Sequence, residues 1–351
     1  MKEKIKVLVV DDAVVVRILV ATALSKDPDV EVVGKAQNGK VALDMIAETQ
    51  PDIVLLDLEM PEMDGLQVLQ ALRDQRHPTK VIMFSTYTTV GAEQTFEALE
   101  LGAADFVPKP SNAGFSKGFD EVKEELLSKI KFIGSVRSAQ SFERPVIVRK
   151  PSAPAPRRSA ASYEVIVFEG GMGAPKTFMN IIPEIPPSLA PGILIFQSMF
   201  SGFAEQFVRR LSRNAQISIK AAQHSDVIRS GNGFVMFGEH YVSVKRSMSN
   251  LQLAFREKDS EEKYGAVPRI LCESVAKVCG EKAIAVILAG AGEGNIAGIQ
   301  AMKERGALVI TEEPSTMMGR KVLDQLLERQ LVDENVPSHE ISQVLRRTLG
   351  F

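Results

Sequence analysis

Short apolar runs alternate with stretches of helical periodicity along the first part of the chain. These runs are apolar on both faces and too short for helices, so they predict buried strands at 5–10, 52–56, 80–84 and 104–108. Helical spacing predicts helices at about 14–25, 38–48, 64–74, 91–101 and 120–132. This alternation is typical of a parallel, doubly wound α/β sheet.

The same alternation resumes after Glu164. Four further runs predict strands, EVIVFEGG, GILIFQ, AIAVILAG and ALVITEE. Helical spacing predicts helices at about 175–183, 202–213, 268–279, 294–305 and 317–330. The length of 351 residues and this second set of elements predict two α/β domains, each with a doubly wound, mostly parallel sheet.

The segment between the two patterns is rich in proline, arginine and serine. This composition cannot bury enough apolar surface to offset its ordering entropy, so it predicts a flexible basic linker. The predicted boundaries are 1–132 for the first domain, 133–160 for the linker and 161–351 for the second domain. A nucleic-acid-binding tail is the alternative, but neither interleaved aromatic residues nor a helix-turn-helix pattern accompanies the basic residues. We therefore expect no DNA partner.

Composition narrows the class of protein further. A hydrophobic fraction of 45% excludes a wholly disordered chain, and a net charge of −2 excludes a polyelectrolyte that coats nucleic acid. The two cysteines, Cys272 and Cys279, have helical spacing and are predicted to be small apolar residues on one helix face. Because the first residues lead directly into a strand and no long apolar stretch follows, we expect a cytoplasmic protein without membrane insertion.

Polar side chains follow the predicted strands of the first domain where each strand ends. In strand order they are Asp11 and Asp12, Asp57, Ser85 and Lys109. The carboxyl ends of parallel strands meet at one edge of a sheet, so these groups are expected to converge. Three clustered carboxylates repel one another unless a cation joins them, and hard oxygen ligands favour Mg²⁺. One carboxylate can then attack phosphorus, while the lysine and the serine bind the phosphoryl oxygens.

The stretches VLVVDDAVVVR, DIVLLDLEMPEMDG, VIMFSTYT and GAADFVPKP make residues 1–132 similar to the receiver domain of two-component response regulators. The resemblance implies a flavodoxin-like fold, Mg²⁺ as cofactor and a histidine kinase as partner. It implies these roles: Asp57 as phospho-acceptor, Asp11 and Asp12 as metal-binding acids, the Glu59 carbonyl as a further metal ligand, Ser85 as switch hydroxyl, Phe106 as aromatic toggle and Lys109 as phosphate-sensing lysine. It also implies a cis Lys109–Pro110 bond, which is inexpensive only before proline.

A glycine cluster at 170–173 follows the first predicted strand of the second domain and precedes a helix. A dinucleotide site has to be considered at such a turn. The cluster does not complete the G-x-G-x-x-G pattern, however, and no acidic residue ends a second strand at the required distance.

The second domain resembles the chemotaxis protein-glutamate methylesterases of the CheB type. That family has a Ser-His-Asp triad in motifs of the forms G-A-S-T-G-G, Q-H-M-P and L-T-G-M-G-x-D-G. The matching stretches EGGMGA, QSMF and LAGAGEGN place Gly171, Ser198 and Gly294 where the family has serine, histidine and aspartate. Ala291 stands where the family has the methionine whose backbone helps to bind the oxyanion.

These replacements predict a catalytically degenerate effector domain, because glycine supplies no nucleophile and serine is no base at neutral pH. The expected function is a phosphorylation-controlled response regulator whose effector domain binds a partner. A chemotaxis-type histidine kinase would act upstream, and chemoreceptors or other signalling-array proteins would be the partners. A receiver that only drains phosphoryl groups from a kinase is a variant of this hypothesis, and a DNA-binding transcription regulator is a separate one.

The enzymatic alternative is an active or altered methylesterase or glutamine deamidase that acts on chemoreceptors. Such an enzyme would need a relocated site. The candidate side chains for it are Ser198, Ser201, His224, His240 and His339.

Overall fold

The computed structural model describes residues 3–85, 89–110, 115–139, 163–187, 191–199, 201–258, 266–313 and 321–350. The chain divides into two compact units, Met1–Glu143 and Arg144–Phe351. The predicted linker at 133–160 lies outside the described residues from position 140 onwards, and its first part is helical. In the described part of the chain, no helix is long and apolar enough to cross a membrane.

The first unit is built on a parallel sheet of five strands in the order β2-β1-β3-β4-β5. The strands are β1 (Ile5–Val10), β2 (Val30–Ala36), β3 (Ile53–Leu56), β4 (Lys80–Ser85) and β5 (Asp105–Pro108). The helices are α1 (Val14–Leu24), α2 (Gly39–Thr49), α3 (Gly65–Asp74), α4 (Thr89–Leu101) and α5 (Phe115–Ala139). The α/β class predicted for this unit is confirmed.

Strand β2 is the element of this unit that the sequence pattern does not predict. It lies at the edge of the sheet beside β1, and only its two terminal residues are fully buried. It therefore carries Glu31 and Lys35 and lacks the doubly apolar pattern of a central strand. Helix α3 begins where predicted, because Asp64 and Gln67 form a capping box.

The second unit is built on a parallel sheet of seven strands in the order β15-β14-β13-β6-β7-β10-β8. These strands are β6 (Val165–Gly170), β7 (Gly192–Gln197), β8 (Ser218–Ala221), β10 (Asn232–Met236), β13 (Ala283–Ile287), β14 (Leu308–Glu312) and β15 (Glu334–Val336). An antiparallel sheet contains β9 (Val227–Ile228), β11 (Tyr241–Ser247) and β12 (Asn250–Arg256). The helices are α6 (Ala174–Ile181), α7 (Ser201–Asn214), α8 (Ala266–Cys279), α9 (Ile296–Glu304), α10 (Lys321–Glu328) and α11 (Ile341–Leu349).

The α/β class of this unit is also confirmed, but the pattern does not predict its antiparallel sheet. The last three residues of β11 are exposed and include Lys245 and Arg246, so the alternation of apolar residues in this strand is too short to predict a strand from the sequence. Cys272 and Cys279 belong to α8 and are both buried in the core, as expected of small apolar residues on one helix face.

The strand order places three motif-bearing strands side by side. Strand β6 lies between β13 and β7, with Glu169 opposite Ile287 on one side and Phe196 on the other. The segments that follow these strands therefore begin at the same edge of the sheet.

Candidate functional site

The carboxyl ends of four adjacent strands position the predicted receiver residues. Asp11 follows β1, Asp57 follows β3, Ser85 ends β4 and Lys109 follows β5. Asp11, Asp57 and Ser85 are buried, and Asp12 beside them is exposed. The structure brings these residues together because their strands are neighbours in the sheet.

Lys109 is the central cation of this cluster. Its Nζ lies 2.7 Å from Asp11 Oδ2 and 2.7 Å from Asp57 Oδ2. Burial raises the pKa of Asp57 to about 6, since the loss of water outweighs the attraction of Lys109 and Asp11 adds repulsion. Burial also raises the pKa of Asp11. Burial acts to lower the pKa of Lys109, but the two carboxylates outweigh it and the net shift is upwards.

Asp11, Asp12 and Asp57 form a group that fits a divalent cation. One carboxylate oxygen from each lies within 4.8 Å of the others. Hard oxygen donors at this spacing suit Mg²⁺, and the single charge of Lys109 does not balance three carboxylates. Glu59, in the segment after β3, lines a pocket of about 370 Å³ together with Asp12.

The Ser85 hydroxyl is tied to helix α4. Its Oγ lies 2.6 Å from Thr95 Oγ1, and Thr95 Oγ1 donates to the Gly91 carbonyl at 2.6 Å. Because Gly91 takes the proton of Thr95, Ser85 donates its own proton to Thr95. Both side chains are completely buried.

Phe106 is already buried in β5, whereas an aromatic toggle that turns inward on activation is expected to start outside. Its ring packs edge-to-face on Phe96 of α4, with ring centroids 5.9 Å apart. Lys129 of α5 lies beneath it, with Nζ 5.1 Å from the ring centroid. Lys129 is itself buried and pairs with Asp105 at 3.2 Å and Glu125 at 2.9 Å. The ring therefore rests between two helices.

The Lys109–Pro110 bond is trans, as are all peptide bonds among the described residues. The expectation of a cis bond is wrong. The trans form is the more stable one for X-Pro bonds, and here the Lys109 N–H still donates to the Ser85 carbonyl at 2.7 Å.

In the second unit, the three motif segments meet at the carboxyl edge of the large sheet. Gly171 follows β6, Ser198 follows β7, and the turn that carries Gly294 follows β13. The Gly171 N–H donates to the Ala289 carbonyl at 2.9 Å, and the Ser198 N–H donates to the Gly170 carbonyl at 3.2 Å. Ser198 and Gly294 are exposed. The edge therefore holds all three positions that the sequence analysis singled out.

Gly171 is packed against the backbone of Gly290. A Cβ atom at Gly171 would lie 1.9 Å from the Gly290 carbonyl oxygen, and one at Gly290 would lie 2.1 Å from the Met172 nitrogen. Gly290 also has a φ of +69°, a conformation that favours glycine. Position 171, which the sequence analysis matches to the family's serine, thus admits no side chain in this backbone arrangement.

The candidate residues of a relocated site do not form a preassembled pair. His224 and His240 both lie against Phe255. His224 Nδ1 accepts a hydrogen bond from the Phe255 N–H at 3.1 Å, and the His240 ring packs at a tilt against the Phe255 ring, with centroids 5.7 Å apart. His339 is exposed on the surface, and Ser201 is the first residue of α7. Within the described part of the chain, no hydrogen bond joins these histidines to Ser198.

A buried carboxylate that the sequence analysis misses lies directly before the glycine turn. Glu169 in β6 is only 1% exposed, and it accepts hydrogen bonds from the side-chain amide of Asn295 and from the Gly292 N–H at 3.3 Å. Burial raises the pKa of Glu169 to about 7, against the lowering effect of these two donors. A titratable group of this kind at the edge of a site is a functional candidate. Its one sequence signal is a glutamate within an apolar strand run.

Each of the two units matches a known protein family. The response regulator receiver domain matches residues 7–115, and the CheB methylesterase domain matches residues 166–345. A protein-glutamate methylesterase/protein-glutamine glutaminase of Pyrococcus horikoshii is 32% identical over 98% of this chain and 94% of its own length. The relative of that name from Geobacillus kaustophilus is 34% identical over 99% of each chain. Among solved structures, the response regulator domain of Thermotoga maritima CheB is 38% identical, covers 38% of this chain and 98% of that chain, and has a TM-score of 0.35.

The expectation of a non-catalytic effector domain is wrong by this comparison, because relatives similar over nearly the whole chain are named as enzymes. That expectation rested on three positions, Gly171, Ser198 and Gly294. The same edge of the sheet also carries the exposed Ser198 hydroxyl and the buried Glu169 carboxyl, which the expectation did not take into account. The assignment of the three positions to the family triad stays a prediction.

Proposed function

Because the chain belongs to the CheB methylesterase family of response regulators, we propose that phosphorylation of its receiver domain controls an effector domain that hydrolyses glutamate methyl esters or glutamine amides of chemoreceptors. The contact of Lys109 with Asp57 and Asp11, at the carboxyl edge of the sheet, is the observation that supports control by phosphorylation. The reaction class is inferred from the names of the relatives.

The Asp57 carboxylate is the proposed nucleophile of phosphoryl transfer. One of its oxygens attacks the phosphorus of a phosphohistidine on a chemotaxis-type kinase, so that a P–O bond forms, the P–N bond breaks and the histidine takes up a proton. The product is an acyl phosphate with a charge of about −2. Lys109, 2.7 Å from Asp57, neutralises the new oxygens, and Ser85 supplies an O–H donor to one of them.

The proposed metal is Mg²⁺, with Asp11, Asp12, Asp57 and the Glu59 carbonyl as its ligands. When bound, it offsets the repulsion among the carboxylates and the incoming phosphoryl group. The chain itself fixes the acidic loop: Arg17 donates to the carbonyls of Asp11 and Asp12 at 2.5 and 2.8 Å. Arg17 therefore fixes the backbone of this loop without the metal.

The effector reaction adds water across an acyl bond of the receptor side chain. The ester releases methanol and the amide releases ammonia, each leaving a glutamate carboxylate. Because Gly171, Ser198 and Gly294 stand at the positions matched to the family's serine, histidine and aspartate, we infer that the chemistry uses a different set of side chains at this edge. Ser198, exposed after β7, is the proposed nucleophile.

Methanol release from a methylated chemoreceptor tests this function. With the full chain, Mg²⁺ and acetyl phosphate, release should exceed that of the same protein without the phosphodonor. An Asp57→Asn variant should show no stimulation, and Ser198→Ala should lose the release altogether. If neither methanol nor ammonia leaves the receptor under any condition, the proposed effector function is refuted. Undiminished release by Ser198→Ala would instead exclude this serine as the nucleophile.

A Thr95→Val variant is expected to bind a phosphoryl group more tightly. Thr95 accepts the Ser85 proton at 2.6 Å, and the phosphoryl group needs that same proton. Removing a buried neutral hydrogen bond of about 1 kcal/mol from the unphosphorylated state should tighten binding of beryllofluoride with Mg²⁺ about fivefold. Calorimetric titration measures the change. Thr95→Ser keeps the hydroxyl and should behave as wild type, whereas weaker binding by Thr95→Val would contradict the competition.

A further inference from the structure

Glu169 and Asn295 join two turns of the effector site. Glu169 stands two residues before Gly171, and Asn295 ends the short 3-10 turn Glu293–Asn295 that follows β13. The Asn295 Nδ2 donates to one Glu169 carboxylate oxygen, and the Gly292 N–H donates to the other at 3.3 Å. A single carboxylate therefore ties the segment after β13 to the end of β6.

Both residues stand at glycine positions of the motifs that the sequence analysis matched. Glu169 occupies the first position of G-A-S-T-G-G, and Asn295 occupies the last of L-T-G-M-G-x-D-G. Helix α9 makes room for the larger side chain, because a Cβ atom at Gly298 would lie 2.3 Å from Asn295 Oδ1 and 2.9 Å from Cys272 Cβ. Helices α8 and α9 and the turns after β6 and β13 thus form a closely packed environment for the Glu169–Asn295 pair.

The described titratable groups around the pair supply no counter-charge. On α8, Cys272 Sγ lies 3.4 Å from Asn295 Nδ2, and burial raises its pKa to about 12, so it stays neutral. At the end of β14, Glu312 accepts a hydrogen bond from the Ala289 N–H at 3.0 Å. Within the turn, Glu293 pairs with Lys321 at 2.6 Å on the exposed side. Among the described residues, the Glu169 carboxylate is therefore stabilised only by its hydrogen bonds to Asn295 and Gly292.

We propose that Glu169 and Asn295 form a proton-controlled clamp, which holds the Gly290–Asn295 segment against the Gly171 turn when Glu169 is protonated and releases it more readily when Glu169 is ionised. Protonation also creates an O–H donor. Asn295 Oδ1 is buried and has no hydrogen-bond partner among the described residues, so it can accept this proton when the amide turns. The functional consequence of the clamp rests on the proposed function: when the Gly290–Asn295 segment opens, a glutamyl substrate gains access to the Gly171 turn.

The direction of the pH effect follows from linkage. In the closed form the pKa of Glu169 is about 7, and in an open, solvated form it returns to the ordinary 4.5. The closed form therefore holds its proton more tightly, and its advantage is fully present below pH 4.5 and declines as the pH rises to about 7. Between pH 6 and pH 8, these pKa values make the opening constant rise about tenfold.

Hydrogen exchange of the full chain, read by mass spectrometry and corrected for intrinsic exchange rates, tests the clamp. In wild type, opening of residues 290–295 should rise about tenfold between pH 6 and pH 8. Glu169→Gln should abolish this dependence. Asn295→Gly removes a donor that lowers the pKa of Glu169, so the rise should continue beyond pH 8. Glu164→Gln, at the opposite end of β6, is the matched control and should follow wild type.

The same pH dependence in wild type and Glu169→Gln would overturn the clamp. If Glu169→Gln fails to fold, Asn295→Gly carries the test, because it keeps the carboxyl and a wild-type pH profile in it would overturn the proposal equally. The readout does not require hydrolysis. Absence of methanol release would therefore refute the proposed function alone, and a pH-independent segment would refute the clamp alone.

Discussion

An Asp57→Asn variant is expected to lose all phosphoryl labelling while keeping the fold of the first unit. Asparagine preserves the shape of the side chain, but an amide cannot form the acyl phosphate. The substitution removes an ion pair with Lys109, and it also removes a buried charge that Asp11 repels, so the two effects on stability oppose each other. Labelling by acetyl phosphate with Mg²⁺, followed by mass spectrometry of the peptides, measures the loss.

Asp52→Asn is the matched control for this test. Asp52 precedes β3, whereas Asp57 follows it, so Asp52 lies at the opposite end of the strand from the acidic cluster. The Asp52 Oδ2 accepts the Lys6 N–H at 2.9 Å. This variant should be labelled as wild type. Lys109→Ala should still be labelled, because the nucleophile remains, but it should stimulate methanol release poorly. Equal label on wild type and Asp57→Asn would refute the assignment of the phospho-acceptor.

The acidic cluster could be found from sequence because its strands are central. Residues 7–10 of β1 and all of β3 are buried on both faces, so each reads as an apolar run, and the polar residue that follows the run marks the edge of the sheet. Asp11 and Asp57 are those residues. Parallel pairing then places them together without further information, and only the distances to Lys109 needed the structure.

Contacts between distant segments could not be found in this way. Thr95 reads as one more residue of an amphipathic helix, and its bond to Ser85 depends on where α4 packs. Glu169 and Asn295 are 126 residues apart, and neither position signals the other. Edge strand β2 is not predicted from the sequence for a different reason, since its exposed positions interrupt the apolar pattern. In the first unit, local periodicity thus identifies the central strands, while edge strand β2 and the long-range polar pairs require the packing.

A Gly171→Ser variant is expected to destabilise the second unit strongly rather than to restore a catalytic serine. The Cβ atom itself would lie 1.9 Å from the Gly290 carbonyl oxygen, so no side-chain rotamer relieves the overlap. The two turns would have to separate, which breaks the bond from the Gly171 N–H to the Ala289 carbonyl. We expect a loss of about 3 kcal/mol or more in the free energy of unfolding.

Denaturant unfolding of the full chain, followed by circular dichroism, measures this loss, with the transition of the first unit as an internal reference. Gly171→Ala should lose as much, because the Cβ atom and not the hydroxyl causes the overlap. Gly292→Ser is the matched control: Gly292 lies in the opposing turn, two residues after Gly290, and a Cβ atom there meets nothing within 4 Å. Wild-type stability in Gly171→Ser would mean that the two turns can part at little cost, and the backbone contact would then no longer explain why position 171 has no side chain.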